Sequence, residues 1–262
     1  CQDLFEYRVL TAQQVAELYF SSGHTARRRL VELFRLAVLD RFRPPAVGSA
    51  PFHYVLDHLG ARVVAAERGL EFKELRFRKE KVDALPYSSE VSHLVGTNGF
   101  FTRIVLACRH DDVYLLDEWW SERRCHSRWG SIVRPDGFGI LRGPGAERSF
   151  FLEFDRRTES PSRLALKLGS YQRVALLDDR PDVILFCFPD PAREASARRA
   201  LHRPGMSLAT ASWDRLAEDP LGPVWLAIEE QRRRTLLTLP VAETRGMPPR
   251  PAEDPVVRIG LQ

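Results

Sequence analysis

Apolar positions in the first third of the chain recur at helical spacing. Val15, Leu18 and Tyr19 line one face of a helix predicted from Ala12 to about Tyr19, with Thr11 placed to cap it. Ser21-Ser22-Gly23-His24 breaks the pattern as a turn. A second helix follows from about Thr25, with Ala26, Leu30, Leu33, Phe34 and Ala37 on its apolar side. Leu39–Arg43 and Phe52–Leu56 read as short strands around a loop holding Pro44-Pro45 and Gly48-Ser49. Helix, turn, helix and hairpin in that order predict a winged helix. A further helix runs from about Asp57 to Gly69. Residues 70–86 are rich in charge, end at Pro86, and read as a connector with some helix in it.

The pattern changes at Ser88. A long helix to about Ala107 carries Val91, Leu94, Val95, Phe101, Ile104 and Val105. Strands are predicted over Val113–Trp119, over Ser131–Val133 continuing through Gly137–Leu141, and over Ser149–Asp155. Arg142-Gly143-Pro144-Gly145 is turn chemistry between the last two. Ser160–Leu177 reads as a helix, Val183–Phe188 as a buried strand and Pro191–Leu201 as a helix. Leu208–Trp213 and Val224–Ile228 read as closing strands. The expected fold class is therefore α+β: an N-terminal winged helix-turn-helix followed by an αβββαβ domain. The predicted division is 1–69 winged helix, 70–87 connector, 88–240 second domain and 241–262 a Pro-rich tail.

Composition adds little to this and removes several classes. The net charge is +4 and the pI about 9.0, compatible with a nucleic-acid partner. No apolar run reaches the roughly 18 residues of a membrane span, and no basic-then-apolar leader is visible, so a cytoplasmic protein is expected. A first residue of Cys1 suggests a leading segment ahead of it. The four cysteines show no C-x-x-C pairing and read as free thiols, mostly buried. Cys125-His126 lacks the second ligand pair a zinc site needs. Neither a phosphate-cradling glycine loop nor a G-x-S-x-G or H-E-x-x-H motif occurs. Tyr171 as a covalent nucleophile on DNA is a minor option, because the paired histidines of such a site are missing.

Two groups of residues carry candidate chemistry. His24, Thr25, Arg27, Arg28 and Arg29 occupy the early part of the second helix, the end that meets base edges in a helix-turn-helix. Arginine suits that position because its fork pairs with guanine or with phosphate. Arg41 and Arg43 sit where a wing begins and can touch backbone phosphates. The plainer alternative is a protein-docking module with solvated arginines. The second group is acidic. Strand parity puts Glu153 and Asp155 on one face, and pairing with the strand that holds Asp136 brings three carboxylates to one end of a sheet. Such an all-oxygen set suits Mg2+ or Mn2+. Lys167, one of only four lysines among 39 basic residues, follows on the next helix with Tyr171 four residues on. Asp136, Glu153, Asp155 and Lys167 are the candidate catalytic residues, the three acids the candidate metal ligands. Turn chemistry at Pro135-Asp136-Gly137 and ion pairs from Asp155 to Arg156 or Arg157 are the alternative.

Pro135-Asp136 and Glu153-Phe154-Asp155 within an αβββαβ order resemble the PD-(D/E)xK nuclease superfamily over residues 88–190. The resemblance implies a restriction-endonuclease-like fold. The third position of the (D/E)xK element is Asp155 here, with Lys167 on the following helix in place of a lysine there. The stretches LTAQQVAELYF…ARRRLVELFRLAVLDRF, VSHLVGTNGF and RPDGFGIL…FFLEFDRRTES…KLGSYQ are similar to the replication-relaxation family of actinobacterial mobile elements. That resemblance implies a role in plasmid replication, DNA relaxation or conjugative transfer. It implies double-stranded DNA as partner, beside a relaxase or replication protein, and admits a homodimer. Three functions follow: a nicking or cleaving enzyme, a non-catalytic accessory factor, or a transcriptional regulator. The accessory role needs only a basic surface, for which Arg134, Arg142, Arg148, Arg156 and Arg163 are candidates.

Overall fold

A computed structural model describes residues 1–44, 50–156, 161–174, 181–201 and 206–241. The chain divides into two compact units, Cys1–Leu106 and Ala107–Gln262.

The first unit holds α1 (Gln2–Tyr7), β1 (Leu10–Thr11), α2 (Ala12–Tyr19), α3 (Gly23–Arg35), β2 (Leu39–Phe42), β3 (His53–Leu56), α4 (His58–Glu67), α5 (Lys79–Asp83) and most of α6 (Val91–His110). A capping box starts α2: Thr11 Oγ1 accepts from Gln14 N–H at 3.2 Å, and Gln14 Oε1 accepts from Thr11 N–H at 2.9 Å. Val15 and Leu18 are buried as the pattern predicts, but Tyr19 is exposed. The next helix begins two residues before Thr25, because Ser22 Oγ accepts from His24 N–H and caps it. Its Ala26 and Leu30 are buried, Leu33 and Phe34 half-buried, while Ala37 is exposed and left-handed at φ 54°. The three strands form an antiparallel sheet in the order β1-β3-β2.

The unit boundary falls within α6, later than the predicted start at 88. The reason is a polar seam between α6 and the first elements. Asn98 Nδ2 donates to the carbonyls of Val9 at 2.8 Å and Tyr7 at 3.2 Å. Gln14 Nε2 donates to Val95 O, and Thr102 Oγ1 donates to the buried Glu17. Buried polar groups need such partners, and these tie residues 91–102 to the N-terminal elements. Charge in the stretch read as a connector is also engaged: Lys79 pairs with Asp40 at 3.0 Å, with Asp57 at 3.8 Å and with Asp83.

The second unit is built on a six-stranded mixed sheet of order β4-β5-β6-β7-β8-β9. Its elements are β4 (Leu115–Ser121), α7 (Glu122–Trp129), β5 (Gly137–Gly143), β6 (Ala146–Phe154), α8 (Pro161–Val174), β7 (Val183–Phe188), α9 (Pro191–Leu201), β8 (Leu208–Ser212), α10 (Trp213–Glu218) and β9 (Leu226–Ala227). Strands β6, β7 and β8 run parallel, and the outer pairs are antiparallel. The unbroken apolar run of β7 reflects a central parallel strand covered on both faces. Phe138, Ile140, Phe151, Ile184, Phe186 and Phe188 form a core with Cys125 and Trp129 of α7, Leu168 and Tyr171 of α8, and Ala197 and Leu201 of α9.

Ser131–Val133 is not a strand. Ile132 and Val133 both donate their N–H to Trp129 O at 2.8 Å, which winds up the end of α7 instead. Cys108, Cys125 and Cys187 are buried free thiols, and Cys1 is exposed. Among the described residues no helix is long and apolar enough to cross a membrane. The predicted tail beyond Val241, the loop at 45–49 and the expected helix ends at Ser160 and Leu177 lie outside the described residues.

Candidate functional site

The acidic group gathers where β5 begins and β6 ends. Register pairs Gly137 with Leu152, so Asp136 lies beside the last residues of β6. Asp136 N–H donates to Leu152 O at 3.0 Å, and its Oδ2 accepts from Phe154 N–H at 2.7 Å. The carboxylate thereby extends the strand pairing by one step. Glu153, on β6, is 3% exposed. Its Oε2 accepts from Lys167 Nζ at 2.9 Å, and its Oε1 accepts from the Tyr171 hydroxyl. The four-residue spacing of Lys167 and Tyr171 on α8 lets both reach one carboxyl group.

Burial first, and then the negative charge of Asp136, push the Glu153 carboxyl up to about 7 against the opposing pull of Lys167 and Tyr171. Burial also drives the Tyr171 hydroxyl well above its ordinary range, with the Glu153 charge adding to it. At neutral pH the Tyr171 hydroxyl is therefore protonated and serves as a hydrogen-bond donor.

Asp155 takes a different partner. It lies one residue past β6, where its N–H donates to Cys187 O at 2.9 Å. Arg193 Nε, from the first turn of α9, donates to Asp155 Oδ2 at 2.5 Å, and both side chains are largely buried. The expected convergence of Asp136, Glu153 and Asp155 is thus divided. Asp136 and Glu153 share one locus with Lys167, while Arg193 holds Asp155. Among the described residues no three His, Cys, Asp or Glu side chains form a group able to hold a metal ion. Both Glu153 oxygens and one Asp155 oxygen accept from protein donors, which a Mg2+ or Mn2+ ion bound by these acids would have to displace.

Neither Arg193 nor a second buried network was visible in the sequence. Glu194 accepts from both terminal nitrogens of Arg233 and from Thr210, and Arg198 donates to the carbonyls of Leu226, Ala227 and Ile228. These bonds latch β9 and its neighbours onto α9. Two of the arginines expected on the surface of this unit have protein partners. Arg142 is paired with Glu147 and Asp117, and Arg148 donates to Leu237 O and Leu239 O. Arg134 is exposed and Arg156 half-buried, while the Arg163 side chain lies outside the described residues.

In the first unit, His24, Thr25, Arg27, Arg28 and Arg29 are all exposed on the opening turns of α3, over the buried Ala26 and Leu30. Arg29 makes an exposed pair with Glu32 at 3.3 Å. Arg41 lies over the rings of Phe34 and Phe52, and Arg43 lies over Phe52.

No curated protein and no solved structure matches the chain. The model of the replication-relaxation family matches residues 2–181, which run from α1 to the approach to β7 and take in both the arginine-bearing helix and the Glu153 cluster. The chain belongs to the replication-relaxation family.

Proposed function

We propose that this chain is a DNA-binding protein acting in the cytoplasm, in plasmid or mobile-element replication or transfer. Family membership points to that biological setting. The observation that carries DNA binding is the exposed face of α3, where Arg27, Arg28 and Arg29 project opposite Ala26 and Leu30. On this reading α2, α3 and the β2–β3 hairpin form a winged helix, with α3 entering the major groove. The second unit is a restriction-endonuclease-like domain that serves as a grip on DNA, or on a relaxase or replication protein. A homodimer belongs to the same proposal.

A second reading, DNA nicking by Asp136, Glu153, Asp155 and Lys167, is favoured by one observation. Asp136, Glu153 and Lys167 meet at the end of the β5–β6 pair. It requires Asp155 to leave Arg193. Supercoiled plasmid incubated with the protein and Mg2+ or Mn2+ separates the two readings. Retarded but intact plasmid is the expected result. Metal-dependent nicking that Asp136→Ala and Glu153→Ala both abolish would replace the accessory role with an endonuclease. Absence of any retardation would sink the DNA-binding proposal itself.

A further inference from the structure

The hairpin register gathers two arginines on one aromatic ring. Strand parity puts Arg41 and Arg43 on the same face. Arg41 pairs with Tyr54 and Phe42 with His53, so Arg43 stands opposite Phe52 one step further along. The Arg41 Cζ is 4.1 Å from the centroid of the Phe52 ring and the Arg43 Cζ 3.9 Å from it. The two cations are therefore within roughly twice that distance of each other. Phe34, from α3, closes over Arg41 at 4.4 Å.

Two like charges held this close call for an anion. Ring faces attract a guanidinium but do not neutralise it. Asp40, the acid next in sequence, is engaged elsewhere: its Oδ1 accepts from Arg41 N–H and its Oδ2 from Lys79. Among the described residues no carboxylate pairs with either guanidinium. Phe34 and Phe52 restrict the arginine side chains before any ligand arrives, so less freedom is lost on binding.

We propose that Arg41 and Arg43, stacked on Phe52, form one preassembled clamp for a backbone phosphate of DNA. The inference rests on the DNA-binding reading and deepens it. Phe52 is the positioning residue, and Phe34 braces Arg41 against α3. A phosphate contact sets register and adds affinity, while sequence discrimination is left to α3.

The test is fluorescence anisotropy of the full chain with a short labelled duplex of random sequence, titrated at several salt concentrations. Each lost phosphate contact lowers the slope of log affinity against log salt by about 0.9. Joint Arg41→Gln and Arg43→Gln substitution removes the one phosphate contact and is expected to lower the slope by about one such step. Phe52→Leu keeps both charges and is expected to weaken binding about 5- to 20-fold with most of the slope retained, and Phe52→Tyr to restore it. Thermal melts by circular dichroism establish that each variant is folded.

An unchanged slope in the double arginine variant would overturn the clamp and leave DNA binding standing. Wild-type affinity in Phe52→Leu would equally overturn it, since the ring would then position nothing. A wild-type chain that does not bind the duplex would remove the clamp together with the reading beneath it.

Discussion

Replacing Arg193 with methionine is expected to destabilise the second unit. The guanidinium is 14% exposed and its partner carboxylate in Asp155 only 2%. Taking away one side of a buried pair strands the other as an uncompensated charge, at about 3–5 kcal/mol. The residual exposure of Arg193 places Arg193→Met at the lower end of that range, about 3 kcal/mol. Asp155→Asn retains an oxygen that can accept from Arg193 and should cost about 1–2 kcal/mol. Joint Asp155→Leu and Arg193→Met removes both charges and should recover most of the loss, a strongly non-additive result. The five tryptophans, Trp119, Trp120, Trp129, Trp213 and Trp225, all belong to the second unit. Intrinsic fluorescence in urea therefore follows the unfolding of that unit alone. With a denaturant slope of about 2–3 kcal/mol per molar, the single variant should lower the midpoint by about 1–1.5 M. A midpoint shift below about 0.2 M, or additive behaviour of the pair, would refute the reasoning. Asp155 would then be loosely held, and a three-carboxylate site with Asp136 and Glu153 would come back within reach.

Three further outcomes are expected. The raised Glu153 group keeps a proton in the folded chain that the unfolded chain releases between about 4.5 and 7, so stability falls as pH rises through that window and is level above it. The total is about 3 kcal/mol at 1.36 kcal/mol per unit; Glu153→Gln should remove that slope, and equal pH dependence of wild-type and variant urea midpoints would contradict it. Asn98→Ala leaves the carbonyls of Tyr7 and Val9 without this donor and should cost the first unit about 2 kcal/mol. That loss should show in far-ultraviolet circular dichroism with the tryptophan transition unmoved; a common shift of both signals would argue against it. Gly143→Ala places a methyl group 2.4 Å from Leu237 Cδ1 and 2.7 Å from Tyr114 Cδ1, so a melting temperature lower by several degrees is expected, and an unchanged one would show that both side chains yield freely.

Periodicity made much of this fold legible, and its failures have local causes. The Ala12–Tyr19 helix, the β7 run and the Pro191–Leu201 helix follow directly from apolar spacing and caps. Helix α7 escaped because only Cys125 and Trp129 mark its buried face among charged neighbours. At the candidate site, helical spacing put Lys167 and Tyr171 on one face, and both do meet Glu153. Strand parity likewise put Asp155 with Glu153, but β6 ends at Phe154 and the partner that claims Asp155 lies 38 residues further on. Arg148 read as a surface cation for the same reason: the carbonyls it serves belong to Leu237 and Leu239. Local patterns report which face of an element is covered, and they carry no record of which distant group does the covering.

The seam along α6 has a consequence for synthesis of the chain on the ribosome. Its bonds join residues 81 to 91 positions apart, so Tyr7, Val9, Gln14 and Glu17 emerge long before their partners. At about 5–20 residues per second, that interval is roughly 4 to 18 s. Through it the nascent N-terminal elements present unfilled polar positions and an uncovered apolar face. They are open to chaperones for that time, and the first unit closes only when Asn98 and Thr102 arrive.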